Sequence, residues 1–181
     1  MPRIDPLTDE QAEGQAAELF SAIKDKVGKV PNIYRTLGRA PSVLAGLLQF
    51  GEALDAGSLS GPIKEQIALR VGHRNSCDYC QAAHTAIGKS VGLSEDQAVA
   101  ARRGNADDAK AQAILNLVDA ILEREGFVTD DQLQAARDAG LSDAEILEVT
   151  GQVVKNIFTN YINHVVETEV DFPAIKELQE A

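Results

Sequence analysis

The chain has 181 residues, 44% of them hydrophobic, with 28 acidic against 17 basic side chains and a net charge of −11. That length suits one domain with a full core, and that charge opposes any general affinity for nucleic acid or an anionic membrane, since both present phosphates. Aromatics are 4% of the residues, Trp is absent, and no apolar run reaches the roughly 18 residues of a membrane span. The sequence therefore reads as a soluble, cytoplasmic, all-α domain with a core of Ala, Leu, Val and Ile.

Helix starts are legible because Ser or Thr followed three residues later by Glu or Gln recurs ahead of apolar-periodic segments. Thr8 with Gln11 predicts a first helix whose stripe is Ala12, Ala16, Leu19, Ile23 and Val27, stopping near Gly28. A short helix is expected from Pro31, and another from Ser42 to about Ala56 with Val43, Leu44, Leu47, Leu48 and Leu54 as its core face. A fourth opens at Pro62, carries Ile63, Ile67 and Val71 at steps of four, and holds Glu65 in its first turn, with Gly72 to Ser76 as the following turn.

Ser76 reads as the N-cap of a helix running to Val91 and closed by Gly92. Cys77, Cys80, His84, Ile87 and Val91 then fall on one face, which points inward. Ser94 with Gln97 marks a further start, and Ile114, Leu115, Val118, Ile121 and Leu122 a long helix before Gly126. Thr129 with Gln132 opens a short helix from Asp130 to Gly140. Ser142 with Glu145 opens the longest, from Asp143 to about Glu167. Its apolar face is Ile146, Leu147, Val149, Val153, Ile157, Tyr161 and Val165; Asn156, Asn160 and His164 form a polar stripe.

The segment GPIKEQIALRVGHRNSCDYCQAAH, Gly61 to His84, holds both cysteines, two of the three histidines and Glu65. Two cysteines make no secreted disulfide framework. A zinc site from Cys77, Cys80 and His84 is disfavoured. At a rise of 1.5 Å per residue Cys77 and His84 lie about 10 Å apart along the axis, whereas ligands of one zinc sit within roughly 4 Å of one another. No metal and no cofactor is expected. A redox pair fits, because i and i+3 on a helix place Cα atoms within disulfide reach, and a first-turn position favours thiolate. His84 stands one turn beyond Cys80, where it can take a proton. Glu65 can orient that imidazole if the two helices pack antiparallel. The remaining alternative is two small buried core residues.

EQIALRVGHRNSCDYCQAAH resembles the active-site segment of alkyl hydroperoxidase D-like proteins in the carboxymuconolactone decarboxylase superfamily: Glu, eleven residues, then C-x-x-C-x-x-x-H, matched by Glu65, Cys77, Cys80 and His84. TDDQLQAARDAGLSDAEILEV and the long helix after it look like the family's C-terminal half, and NHVVETEVDFP like its peroxidase-related branch. The resemblance implies an alkyl hydroperoxidase D-like helical fold of about eight helices, with residues 1–40 as an N-terminal helical extension, 41–172 as the core and 173–181 as a tail.

It also implies trimers or hexamers and metal-free reduction of a small hydroperoxide. In that scheme Cys80 attacks, Cys77 resolves, His84 and Glu65 relay the proton, and a dithiol, a lipoylated protein or a thioredoxin-like protein resets the pair. The family archetype has a histidine where this chain has Tyr79, which is no base near neutral pH and reads as a packing or gating residue. His164, with Asn160 and Asn163, reads as an interface patch or an accessory to the site. His73 is expected to be exposed. The competing functions are a decarboxylase or lactone-processing enzyme on the same fold, and a non-enzymatic thiol redox sensor.

Overall fold

The structure is a computed structural model that describes residues 1–176 and 178. Of the expected tail, residues 177 and 179–181 lie outside the described residues. Among the described residues there are nine α-helices and no strand: α1 (Gln15–Val27), α2 (Asn32–Leu37), α3 (Pro41–Asp55), α4 (Gly61–Arg74), α5 (Asp78–Ser90), α6 (Glu95–Arg102), α7 (Ala109–Glu123), α8 (Asp130–Asp138) and α9 (Asp143–Val166). No helix is long and apolar enough to cross a membrane among the described residues.

The capping boxes predicted at Ser94, Thr129 and Ser142 all form, each side-chain oxygen taking the N3 amide and each N3 side chain reaching back. Thr8 is the exception. Its amide donates to Gln11 Oε1 at 3.0 Å, but α1 begins only at Gln15, after Gly14 adopts a φ of 53° and breaks the run. Val27, placed in the core by periodicity, is exposed, and so is Val43 on α3, where Leu44 alone is fully buried.

Helix α4 is the hub, packed against α5, α6, α7 and α9. Its Ile67 and Val71 join Ile114, Val118, Val149 and Val153 in the main core. A second cluster surrounds the cysteines, with Phe20, Ile33, Leu44 and Tyr79 against Cys77 and Cys80. Residues of α1 and α2 thus form one wall of the thiol region.

The turn between α4 and α5 is shorter than predicted, because α4 continues through Arg74. It ends in a Schellman motif: Ser76 N–H donates to His73 O at 3.0 Å, Cys77 N–H donates to Gly72 O at 2.9 Å, and Ser76 takes a φ of 54° where glycine is usual. Ser76 therefore cannot cap α5. Cys77 does so itself, its sulfur accepting the Cys80 N–H at 3.3 Å. His73, still on α4, is partly buried rather than exposed, and burial holds its imidazole below the ordinary range.

Candidate active site

Helices α4 and α5 run antiparallel at close range because two glycines sit on their contact. A Cβ on Gly72 would meet Cys80 Cβ at 3.4 Å, and one on Gly88 would meet Leu93 at 3.1 Å and Glu65 Cβ at 3.7 Å. This approach fixes Glu65 opposite His84, whose Nδ1 lies 2.8 Å from Glu65 Oε2. An ionised carboxylate only accepts, so Nδ1 carries the hydrogen and Nε2 keeps its lone pair. Both side chains retain a little solvent contact, at 18% and 15%.

Cys77 and Cys80 are joined as a disulfide with Cα atoms 5.3 Å apart. They are 1% and 3% exposed. The structure thus brings Cys77, Cys80, Glu65 and His84 into one group, with His84 one turn beyond Cys80 on α5. Ile87 and Val91, predicted to continue that inward face, emerge at the surface. Among the described residues no three His, Cys, Asp or Glu side chains gather as a metal-ligand set.

Tyr79, between the cysteines, is buried, and burial pushes its phenol well above the usual tyrosine value. Its hydroxyl donates to Asp171 Oδ1 at 2.8 Å and accepts from Ile33 N–H at 3.3 Å. Phe172 meets its ring edge-on at 5.5 Å. It is a packed anchor, not a base.

The second half of α9 departs from the predicted face. Val149 and Val153 are buried as expected, but beyond them the inward positions are Asn156, Asn160 and Asn163, while Tyr161, Val165 and His164 point outward. His164 is therefore no part of the thiol group, and Asn160 and Asn163, expected with it in an interface patch, are buried instead. Asn160 Oδ1 accepts from Asn75 Nδ2 at 2.8 Å, tying α9 to the turn that carries Cys77. Asn163 Nδ2 lies 3.2 Å from Cys80 Sγ and 3.9 Å from Cys77 Sγ. Periodicity could not find these amides, because a stripe of asparagines scores as solvent-facing. The signal that could have is their spacing of three and four in register with Val149 and Val153.

Lys155 was also missed. Bonds from Ser58 and Leu59 to Glu148 at one end of the α4–α9 contact, and from Asn75 to Asn160 at the other, show that the helices run in the same direction. Lys155 thereby comes level with Glu65. Burial holds its ammonium below the ordinary lysine range, against the pull of Asp55 and Glu65.

Residues 41–123 match the model of the carboxymuconolactone decarboxylase family. Over that span the chain is similar to the family. The matched span carries Glu65, both cysteines and His84. A peroxidase-related protein with an alkylhydroperoxidase core from Ralstonia eutropha JMP134 superposes with a TM-score of 0.85 at 20% identity, covering 94% of this chain and 92% of that one. A peroxidase-related protein from Silicibacter sp. TM1040 gives 0.78 at 22%, covering 91% and 86%. A debrominase solved with 2,3,4-tribromopyrrole gives 0.79 at 17%, covering 93% and 91%. At these identities the likeness is one of fold: the chain has the alkyl hydroperoxidase D-like helical fold. No curated protein matches the chain significantly.

Proposed function

We propose that the chain belongs to this family and is a thiol-dependent oxidoreductase that reduces a small organic hydroperoxide. The observation that supports this most is the Glu65–His84 contact of 2.8 Å, one helical turn from a cysteine pair already at bridging distance. In the forward half-reaction the Cys80 thiolate attacks the distal oxygen of ROOH. The O–O bond breaks, a sulfenic acid forms, and RO⁻ takes a proton to leave as ROH. His84 Nε2 first takes the proton of the Cys80 thiol, Glu65 holds the resulting imidazolium, and Nε2 then gives that proton to RO⁻, which restores the neutral ring. Cys77 thiol then displaces hydroxide from the sulfenic sulfur, giving water and the Cys77–Cys80 disulfide. An external dithiol, lipoylated or thioredoxin-like, reduces the bridge by two electrons and is itself oxidised to a disulfide. The setting we infer is cytoplasmic, where such dithiols are kept reduced.

Exposed apolar side chains on α9 and α3 support assembly into a homo-oligomer, trimer or hexamer. A decarboxylase or lactone-processing role uses neither sulfur and leaves the pair without a task. The burial of both sulfurs favours a second reading, a redox sensor that reacts without turning over.

The deciding experiment adds sub-stoichiometric cumene hydroperoxide to reduced protein, alkylates it, and reads its mass, then follows steady-state peroxide loss with dithiothreitol. Formation of one intramolecular disulfide per peroxide, and turnover lost in Cys80→Ser, fit the peroxidase. Stoichiometric oxidation without turnover fits the sensor. Turnover that survives Cys80→Ser removes the assignment of the nucleophile.

A further inference from the structure

We propose that Asn163 is a catalytic residue of the thiol centre, its side-chain amide holding Cys80, rather than Cys77, as the thiolate. The proposal rests on the thiol-peroxidase reading and names which sulfur the fold prepares, and by what.

Each sulfur has a donor from a different element. Cys77 caps α5 and accepts the Cys80 N–H at 3.3 Å, so the helix end by itself favours Cys77 as the acidic thiol. Cys80, inside the first turn, receives nothing of the kind from its own helix. What reaches it is Asn163 Nδ2 at 3.2 Å, against 3.9 Å to Cys77. The amide orientation follows from chemistry: a disulfide sulfur has no hydrogen to give, so only the NH₂ end of the amide can bond to it. A donor aimed at a thiolate in a dry site lowers that thiol's pKa, because the bond is worth most to the charged form.

The surroundings mark this contact as built for the sulfurs. Asn163 is 4% exposed, and its Oδ1 is buried without a partner, a cost that packing alone does not explain. A leucine would fill the space more cheaply. The side chain is fixed from both sides along α9. Its backbone carbonyl receives Thr168 N–H at 3.2 Å, and one turn earlier Asn160 is bonded to Asn75 beside the cysteine turn. The donor is thus positioned by α9 itself, independently of the cysteine helix.

The test needs no peroxide, so it fails independently of the proposed activity. Thiolate absorbance near 240 nm is titrated in reduced Cys77→Ser, which leaves Cys80, and in reduced Cys80→Ser, which leaves Cys77, each with and without Asn163→Leu. Losing a hydrogen bond to a charged group should raise the Cys80 pKa by about one unit or more, roughly a tenfold drop in thiolate at a pH below it. The Cys77 pKa should move much less. Asn163→Asp, isosteric and anionic, should raise the Cys80 value further and carries the measurement if the leucine variant does not fold. Equal shifts at both cysteines, or none at Cys80, overturn the proposal.

Discussion

The hydroxyl of Tyr79 donates to the carboxylate of Asp171 at 2.8 Å, joining the residue between the two cysteines to the segment that follows α9. Lys29 Nζ holds the same aspartate, at 2.6 Å from its carbonyl and 3.0 Å from Oδ2, and lies 4.3 Å from the centre of the Phe172 ring. Asn32 Nδ2 donates to Glu169 O at 3.0 Å. Residues 167–172 therefore strap the thiol turn to α2 and the α1–α2 connection.

Both sulfurs are sealed under this packing, so thiol chemistry requires a local opening, and its rate follows the opening equilibrium. Asp171→Ala removes the carboxylate's bonds to Tyr79 and Lys29 together and leaves Lys29 only the backbone carbonyl. In the reduced protein it should speed alkylation of the cysteines by a bulky maleimide about tenfold, with a smaller effect for iodoacetamide. Stopped-flow alkylation checks this, and equal rates for wild type and variant would mean that access runs by another route.

Removing the carboxylate that orients His84 tests the relay directly. Glu65→Gln keeps the shape of the contact but leaves the imidazolium without an anion, and general acid–base assistance is typically worth about 10² or more in rate. Turnover should fall by about that factor while the fully reduced protein still forms its disulfide with a chemical oxidant such as diamide. Undiminished peroxide turnover in this variant sinks the relay.

How much of this was legible in the sequence depended on which force shaped each element. Capping boxes at Ser94, Thr129 and Ser142 are local hydrogen-bond chemistry, and they placed α6, α8 and α9 correctly. The antiparallel approach of Glu65 to His84 followed from a short turn and helical register, which are also local. Periodicity failed where an element serves something other than a hydrophobic core. On α9 the amides face inward, Asn163 onto the sulfurs, while Leu147, Tyr161 and Val165 of the expected stripe face outward and Ile157 still packs on the core. The Cys77 cap was missed because a Schellman motif normally announces itself by glycine at C′, and here that position is Ser76.

That same position predicts a stability gain. An L-residue in the left-handed region costs about 1–2 kcal/mol, partly offset against glycine's greater freedom in the unfolded chain. Ser76, exposed and at a φ of 54°, should tolerate Ser76→Gly with a rise of a few °C in Tm, as about 1 kcal/mol gives for a chain this size. Calorimetry of the oxidised form reads it. A fall in Tm would show that the Ser76 side chain contributes more than its backbone costs.

The outward face of α9 carries Leu147, Val154, Phe158, Tyr161 and Val165, each 37% exposed or more. Their spacing of seven, four, three and four makes one stripe along the helix, the pattern of a face that packs on another surface. If a second copy covers it, Phe158→Glu with Val165→Glu should convert the assembly to monomers in light scattering, leaving the far-ultraviolet helical signal intact. An unchanged mass for that double variant places any subunit contact elsewhere.

Glu145 predicts how the fold responds to acid. It is the N3 residue of the α9 capping box and also lies 2.6 Å from Lys110 Nζ. The Lys110 ammonium first, and the Ser142 N–H next, hold its carboxyl down to about 2 from an ordinary 4.5. A carboxylate with a depressed folded-state pKa stabilises the fold fully above its unfolded value, and loses that contribution as pH falls through the folded one. The window is therefore about pH 4.5 down to about 2. Glu145→Gln keeps a side chain able to complete the capping box while removing the charge. The variant should melt below the wild type at neutral pH, and the gap should narrow steadily across that window as the wild-type carboxyl takes up its proton. A gap that stays constant from pH 7 to pH 2 would assign the loss to side-chain geometry and detach it from ionisation.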